Sequence, residues 1–166
     1  MRNGYYFIFA IIVFSLDHNK RNNYHGDTEN TEMITQKQIN EISYTIIGCA
    51  IEVHKHLGPG LLESVYEPCF IDEMNRAGLS VKSQIYVPIH YKGKELVGRL
   101  KLDLLVNDLI IVEEKAVEIM IPLYEAQLLS YLKLTGKPKG LLINFNCTNI
   151  KEQMVSLVTK EYANLY

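Results

Sequence analysis

An aspartate, two glutamates and a lysine interrupt a pair of strand-like apolar runs between residues 100 and 116, LKLDLLVNDLIIVEEKA. Burying a charge is costly unless it is paired, hydrogen-bonded or bound to a metal. Any fold for this chain must give Asp103, Glu113, Glu114 and Lys115 such surroundings. The polar pair Asn107-Asp108 between the runs predicts a hairpin. Directly opposed residues of antiparallel strands share a face, so the length of the connection decides what the acids can do. A two-residue connection sets Asp103 against Val112 and sends Glu113 to the other face. A three-residue connection sets Val106 against Ile110 and Asp103 against Glu113. Lys115 then shares their face, because strand side chains repeat every second residue. That register leaves Leu100, Leu102, Leu104, Ile110 and Val112 as an apolar stripe opposite, so hydrophobic pattern and acid cluster favour the same pairing. Glu114 lands on the apolar face, where it needs a partner or a place near the end of the sheet.

The flanking sequence surrounds this hairpin with helices and further strands. From Thr35, a candidate N-cap with Gln38 at the capping-box position, Ile39, Ile42, Ile46, Cys49 or Ala50, and Val53 recur at helical spacing. Gly58-Pro59-Gly60 stops that helix. A second helix follows and closes at Gly78. Leu62, Val65, Cys69 or Phe70, and Met74 form its expected apolar side, and Pro68 is expected to kink or split it. Residues 80–91 alternate like a strand, with Pro88 marking an edge or a bulge. Lys92-Gly93-Lys94 is a turn. Pro122 precedes a helix with Leu128, Leu129 and Leu132 as apolar positions and Gly136 at its end. Residues 139–146 form a short buried strand, and residues 150–160 a strand or a helix. The expected order is helix, helix, three strands, helix, strand and a tail.

Composition enters where it limits function. From residue 33 onward 14 basic residues face 15 acidic ones, so no global charge calls for nucleic acid, though a basic patch can coexist with an acidic site. Cys49, Cys69 and Cys147 are odd in number and lack CxxC spacing. They read as reduced buried thiols, and the expected location is cytoplasmic. Residues 5–16 are an apolar run too short to span a membrane comfortably, and residues 17–32 read as a disordered linker. The domain is expected over 33–166, with no stable membrane association. The first 32 residues read as an upstream start, an export segment or a tether.

Two carboxylates and an ammonium on one face have a chemical use. Carboxylate oxygens suit Mg²⁺, which takes one or two of them plus waters and phosphate oxygens. A metal so held lowers the pKa of a bound water, and a lysine can orient that water or offset developing charge. An ordinary cross-strand salt-bridge group is the structural alternative.

The spacing D-x9-E-x-K, followed by a helix carrying Gln127 and Tyr131 in Q-x3-Y, resembles the PD-(D/E)XK nuclease superfamily. More narrowly, Gly60-Leu61-Leu62-Glu63-Ser64-Val65-Tyr66 resembles the motif of the bacterial GxxExxY proteins. Residues 53–59, 127–132 and 140–145 fit too, so the likeness covers about residues 35–155. The resemblance implies an α/β fold with a restriction-endonuclease-like αβββαβ core, a mixed central sheet flanked by helices. It implies a Mg²⁺- or Mn²⁺-dependent nuclease acting on DNA or RNA. Asp103 and Glu113 would be metal ligands and Lys115 the catalytic lysine. Glu63 would add a ligand or orient a metal-bound water, and Gln127 and Tyr131 would support the site or touch the substrate backbone. Leu102, Glu114 and Pro68 depart from the usual pattern, which has Pro before the aspartate, an apolar residue inside E-x-K and no break in the motif helix. The competing reading is a non-catalytic nucleic-acid-binding or protein-interaction module that keeps the site as a remnant.

Other residues carry plainer readings beside these. Glu63 at a helix N-terminus is favoured by the helix dipole whatever else it does. Tyr66 is expected to face the core with its hydroxyl bonded near the site, and Glu67 to be solvated. His54 and His56 suit a helix C-terminus. By default Gln127 and Tyr131 are boundary residues. Lys82, Lys92, Lys94, Arg99 and Lys101 are candidate phosphate contacts or simply a solvated strand face. No aromatic-and-basic interleaving of the kind expected for single-strand binding stands out.

Overall fold

The computed structural model describes residues 33–165, with residues 97–99 placed in their strand but without side-chain detail. The expectations for residues 1–32 lie outside the described residues, and so does the Arg99 side chain. Helix α1 spans Gln36–Leu57 and α2 Glu63–Arg76. Strands β1 (Val81–Tyr91), β2 (Lys94–Val106) and β3 (Ile110–Lys115) follow, then α3 (Pro122–Thr135), β4 (Lys139–Asn144), a 3₁₀ turn at Ile150–Glu152, β5 (Met154–Val158) and a short α4 (Lys160–Ala163). The open question over residues 150–160 resolves into the 3₁₀ turn and β5. No helix among the described residues is long and apolar enough to cross a membrane.

The five strands lie in sequence order in one mixed sheet. Only β3 and β4 run parallel, joined through α3, while the other neighbours are antiparallel. One face carries α1 and α2 over Leu104, Val106, Ile110, Val112, Leu141 and Ile143. The other carries α3 over Leu102, Leu105, Ile111, Leu142 and Leu157. Strands covered on both faces need unbroken apolar runs, and every residue of β4 is buried.

Local chemistry explains the element ends. Thr35 and Gln38 complete a reciprocal capping box at the start of α1, satisfying donors that the helix itself leaves unpaired. Gly58 and Gly60 take φ values of 66° and 96°, which L side chains avoid. Pro68 neither splits α2 nor ends it. The carbonyl that loses its partner belongs to Ser64, which is exposed, so water can serve it.

The apolar side of α2 keeps the expected Phe70 and Met74 but not its other members. Leu62, Val65 and Cys69 are exposed, and Tyr66, Phe70 and Met74 form the buried row. The reason is aromatic packing on the end of β4: the Tyr66 and Phe145 rings stack 4.8 Å apart, and Phe70 meets Phe145 edge-on at 5.5 Å. Of the three cysteines only Cys49 is buried.

The hairpin takes the three-residue connection. Val106 pairs with Ile110, Leu105 with Ile111 and Leu104 with Val112. Asn107 and Asp108 turn with φ of 50° and 56°. The predicted single stripe is nevertheless broken. Leu100 and Leu102 pack on the α3 side, whereas Leu104, Ile110 and Val112 pack under α1 and α2. The sides exchange at Asp103, where β1 places Gln84 with φ of 54°. A left-handed residue inside a strand reverses which way the following side chains point. Pro88 falls at the register shift between Val87 and Ile89 on edge strand β1.

Gly140 lets α3 sit on β4. A Cβ there would stand 2.8 Å from Leu128 Cδ1, and Leu128 is fully buried and cannot yield. Gly140→Val should therefore destabilise the protein by about 1–3 kcal/mol, read as a lowered urea midpoint at unchanged slope.

Candidate active site

The site forms where the sheet forks. Pairing of β2 with β3 ends at Leu104 and Val112, while β3 stays paired with β4 as far as Lys115 and Asn144. Past the fork the backbone N–H of Glu114 has lost its partner strand. It donates instead to Asp103 Oδ2 at 3.2 Å. The aspartate thus replaces a ladder bond with its side chain, which holds its carboxylate at the opening.

Glu113 and Lys115, two residues apart on β3, share the α3 side. Lys115 Nζ lies 2.8 Å from Glu113 Oε1 and 3.6 Å from Asp103 Oδ2, and it donates to the Glu114 carbonyl at 2.6 Å. The ammonium also stands 5.7 Å from the centre of the Tyr124 ring. Gln127 Nε2 donates to the Tyr131 hydroxyl at 2.5 Å across one turn of α3. Burial, then the Glu113 and Asp103 charges, raise Tyr131, against the Gln127 hydrogen bond.

Glu63 enters from the opposite side, as the first residue of α2. It stays exposed, yet the protein crowding it, together with Asp103 and Glu67, raises its carboxyl, while Lys115 lowers it. Its position depends on Tyr66. That buried hydroxyl donates to the Gly58 carbonyl at 2.6 Å and accepts from the Leu61 N–H at 3.2 Å. Asn146 Oδ1 accepts from Gly60 N–H at 3.0 Å. Glycine, glutamate and tyrosine at three-residue spacing thus make one device: a left-handed turn, a helix start and a clamp. Beyond β3, the fully buried Asn144 bonds both the N–H and the carbonyl of Val117.

Electrostatics divide the site by sheet face. Burial and Asp103 push Glu113 up, against the pull of Lys115. Burial lowers Lys115, but the hydrogen bond and charge of Glu113 outweigh it and leave the ammonium raised. Glu114, on the side of α1 and α2, feels Lys115 only weakly. It is 1% exposed, neither of its oxygens has a hydrogen-bond partner, and burial followed by Glu67, Asp103 and Glu63 pushes it up to about 9.

Glu67 is not the solvated residue expected. It is half-buried and accepts from Gln84 Nε2. Gln84, Tyr124 and Asn144 are the participants that sequence reasoning missed. The positive φ of Gln84 has no sequence signature, Tyr124 lies one turn before the noticed Gln127, and Asn144 sat inside a stretch noted only as a match. The basic residues do not reach the site as a group. Lys82 pairs with Asp108 at 2.7 Å, and Lys92, Lys94 and Lys101 are exposed on the hairpin. His54 and His56 lie in the last turn of α1, where His54 Nε2 is 2.7 Å from the Cys147 carbonyl.

The donor set fits a hard dication. Glu113 Oε2 is buried without a partner, next to the Asp103 carboxylate. Among the described residues no three His, Cys, Asp or Glu side chains converge as a cage. Two carboxylates completed by water or phosphate oxygens are the usual surroundings of Mg²⁺.

The family model for the PD-(D/E)XK nuclease superfamily matches residues 40–157, from within α1 through α2, the fork and α3 into β5. The chain belongs to the PD-(D/E)XK nuclease superfamily. Its mixed sheet between α1–α2 and α3 is the restriction-endonuclease-like α/β fold of that superfamily, whose nucleases typically use divalent metals. No curated protein and no solved structure matches the chain.

Two measurements probe the site without any substrate. Glu114 ionises near 4.5 in the unfolded chain and near 9 when folded. Stability is therefore full below about 4.5 and falls as pH rises toward 9, by on the order of 3 kcal/mol at neutral pH. Glu114→Gln, unfolded by urea in chelator, should be more stable than the parent above neutrality, with the difference gone in acid. Tyr66→Phe leaves the Gly58 carbonyl and Leu61 N–H without their partner and should cost about 1–2 kcal/mol by thermal unfolding.

Proposed function

We propose that the protein is a metal-dependent nuclease that hydrolyses phosphodiesters at the fork between β2 and β3. The observation carrying this reading is the meeting of Asp103 and Glu113 around Lys115 in a chain of the nuclease superfamily. Asp103 and Glu113 would hold Mg²⁺ or Mn²⁺, with Glu63 supplying a further oxygen from α2. The metal, when bound, would lower the pKa of a water and draw charge off the phosphoryl oxygens. Lys115 would then exchange part of its contact with Glu113 for the attacking water and the phosphate. The water loses a proton to solvent as its oxygen bonds to phosphorus, the bond to the departing sugar oxygen breaks, and that oxygen takes a proton from solvent. Gln127 and Tyr131 present a bonded amide–hydroxyl pair beside the reacting group and would position the substrate backbone. Lys92, Lys94, Arg99 and Lys101 are the proposed phosphate contacts further out.

The Gly60–Tyr66 motif supports placing the chain, more narrowly, among the GxxExxY proteins. One observation favours a second reading, a non-catalytic module. Glu114 occupies the position where the superfamily pattern has an apolar residue, and it is buried without a partner.

The test is cleavage of DNA and RNA by the full chain with Mg²⁺ or Mn²⁺, beside Asp103→Ala and Lys115→Ala. Each substitution should lower the rate at least about a hundredfold, and chelator should abolish it. Equal rates in all three proteins would remove Asp103 and Lys115 from the site. No cleavage of either substrate would favour the module.

A further inference from the structure

The long hairpin of β1 and β2 runs on past the fork as an arm. From Ile85 to Leu102 its sequence holds four basic residues and a single acid, Glu95, whereas the domain as a whole is near neutral. Pairing across the arm creates neighbours that the linear sequence separates. Tyr86 stands opposite Lys101, and Tyr91 opposite Lys94. Both tyrosines are open to solvent, at 62% and 60% exposure, and Lys92 Nζ lies 5.3 Å from the centre of the Tyr91 ring.

The Tyr86–Lys101 pair also sits close to the acids. Ile85, Val87, Leu100 and Leu102 pack toward α3, so Tyr86 faces the opposite side, where Gln84 reaches Glu67. Gln84 and Asp103 are two residues away along their strands, about 7 Å. A bare aromatic face with an ammonium beside it matches a base and its neighbouring phosphate on an unpaired strand. Stacking on aromatic rings needs the flat faces of bases, which a duplex keeps covered by its own stacking.

We propose that this arm binds unpaired nucleic-acid strand. Tyr86 stacks on a base, while Lys101 contacts a phosphate, so the substrate handed to the fork is single-stranded or carries a single-stranded end. The substrate class rests on the nuclease reading; binding to the arm does not.

The test is fluorescence anisotropy of the full chain in chelator, which keeps binding apart from cleavage. The probes are a labelled oligodeoxythymidylate, an oligouridylate and a DNA duplex of equal length. The unpaired probes should bind more tightly than the duplex, and their ranking tells DNA from RNA. Tyr86→Ala should weaken binding roughly tenfold, and Tyr86→Phe should restore it. Lys101→Ala should reduce the slope of log affinity against log salt by about 0.7. Lys37→Ala, an exposed cation on α1 far from the arm, should bind as the parent does. Duplex binding as tight as single-strand binding, or a Tyr86→Ala protein that binds like the parent, overturns the proposal. If no protein cleaves yet strand binding follows Tyr86, the arm stands and the nuclease reading falls. If cleavage depends on Lys115 but binding ignores Tyr86, the arm alone falls.

Discussion

The Lys115 ammonium is the interaction on which the centre of this molecule depends. It is the cation shared by Asp103 and Glu113 at the fork, and it spends a further donor on the Glu114 carbonyl. Removing one member of a buried charge group leaves the others uncompensated, and that penalty exceeds the value of the pair itself. The lysine therefore opposes the rise that burial and Asp103 impose on Glu113. The same arrangement holds both carboxylates ready for a dication, which would displace the lysine from one role and free it for another.

The fork itself arises from backbone accounting. Each N–H of β3 must find an acceptor, and once β2 diverges, Asp103 supplies one with its side chain. Gln84, at φ 54° on the neighbouring strand, marks the point where β1 and β2 change sides between the two cores. Two local irregularities thus turn a plain hairpin into a sheet with an opening. The elements around it are fastened by buried polar groups, Tyr66 beneath the glycine turn and Asn144 beneath the loop after β3. Both lie in the interior, so they hold backbone positions and meet no solvent.

Glu114 shows what this construction tolerates. One residue along the strand from a glutamate bonded to Lys115, it faces the other core with no hydrogen bond to either carboxyl oxygen. A carboxyl so placed is held in its neutral form across the ordinary pH range, and the acids around it on α2 add to the effect. The contrast between Glu113 and Glu114 comes wholly from strand alternation: one face has Lys115, the other does not.

Strand and helix periods, the capping box at Thr35, the glycine turn and the three-residue hairpin register were legible in the sequence, because each depends on residues close together in the chain. So was the candidate set Asp103, Glu113, Lys115, Glu63, Gln127 and Tyr131, through charge in an apolar setting and resemblance to a family. Tertiary structure decided the rest. Phe70 rather than Cys69 took the buried place, with Tyr66 and Met74 and without Leu62 and Val65, because Phe145, far away in sequence, offered a ring to stack on. The apolar stripe of β2 broke at Asp103, level with the left-handed Gln84 of the neighbouring strand. The pairing of Tyr86 with Lys101 exists only across two strands. Sequence by itself determined which residues are costly to bury and where the chain turns, since those are properties of single residues and their near neighbours. Which partners offset that cost was settled by the packed sheet, because only folding brings residues distant in sequence within a few ångströms.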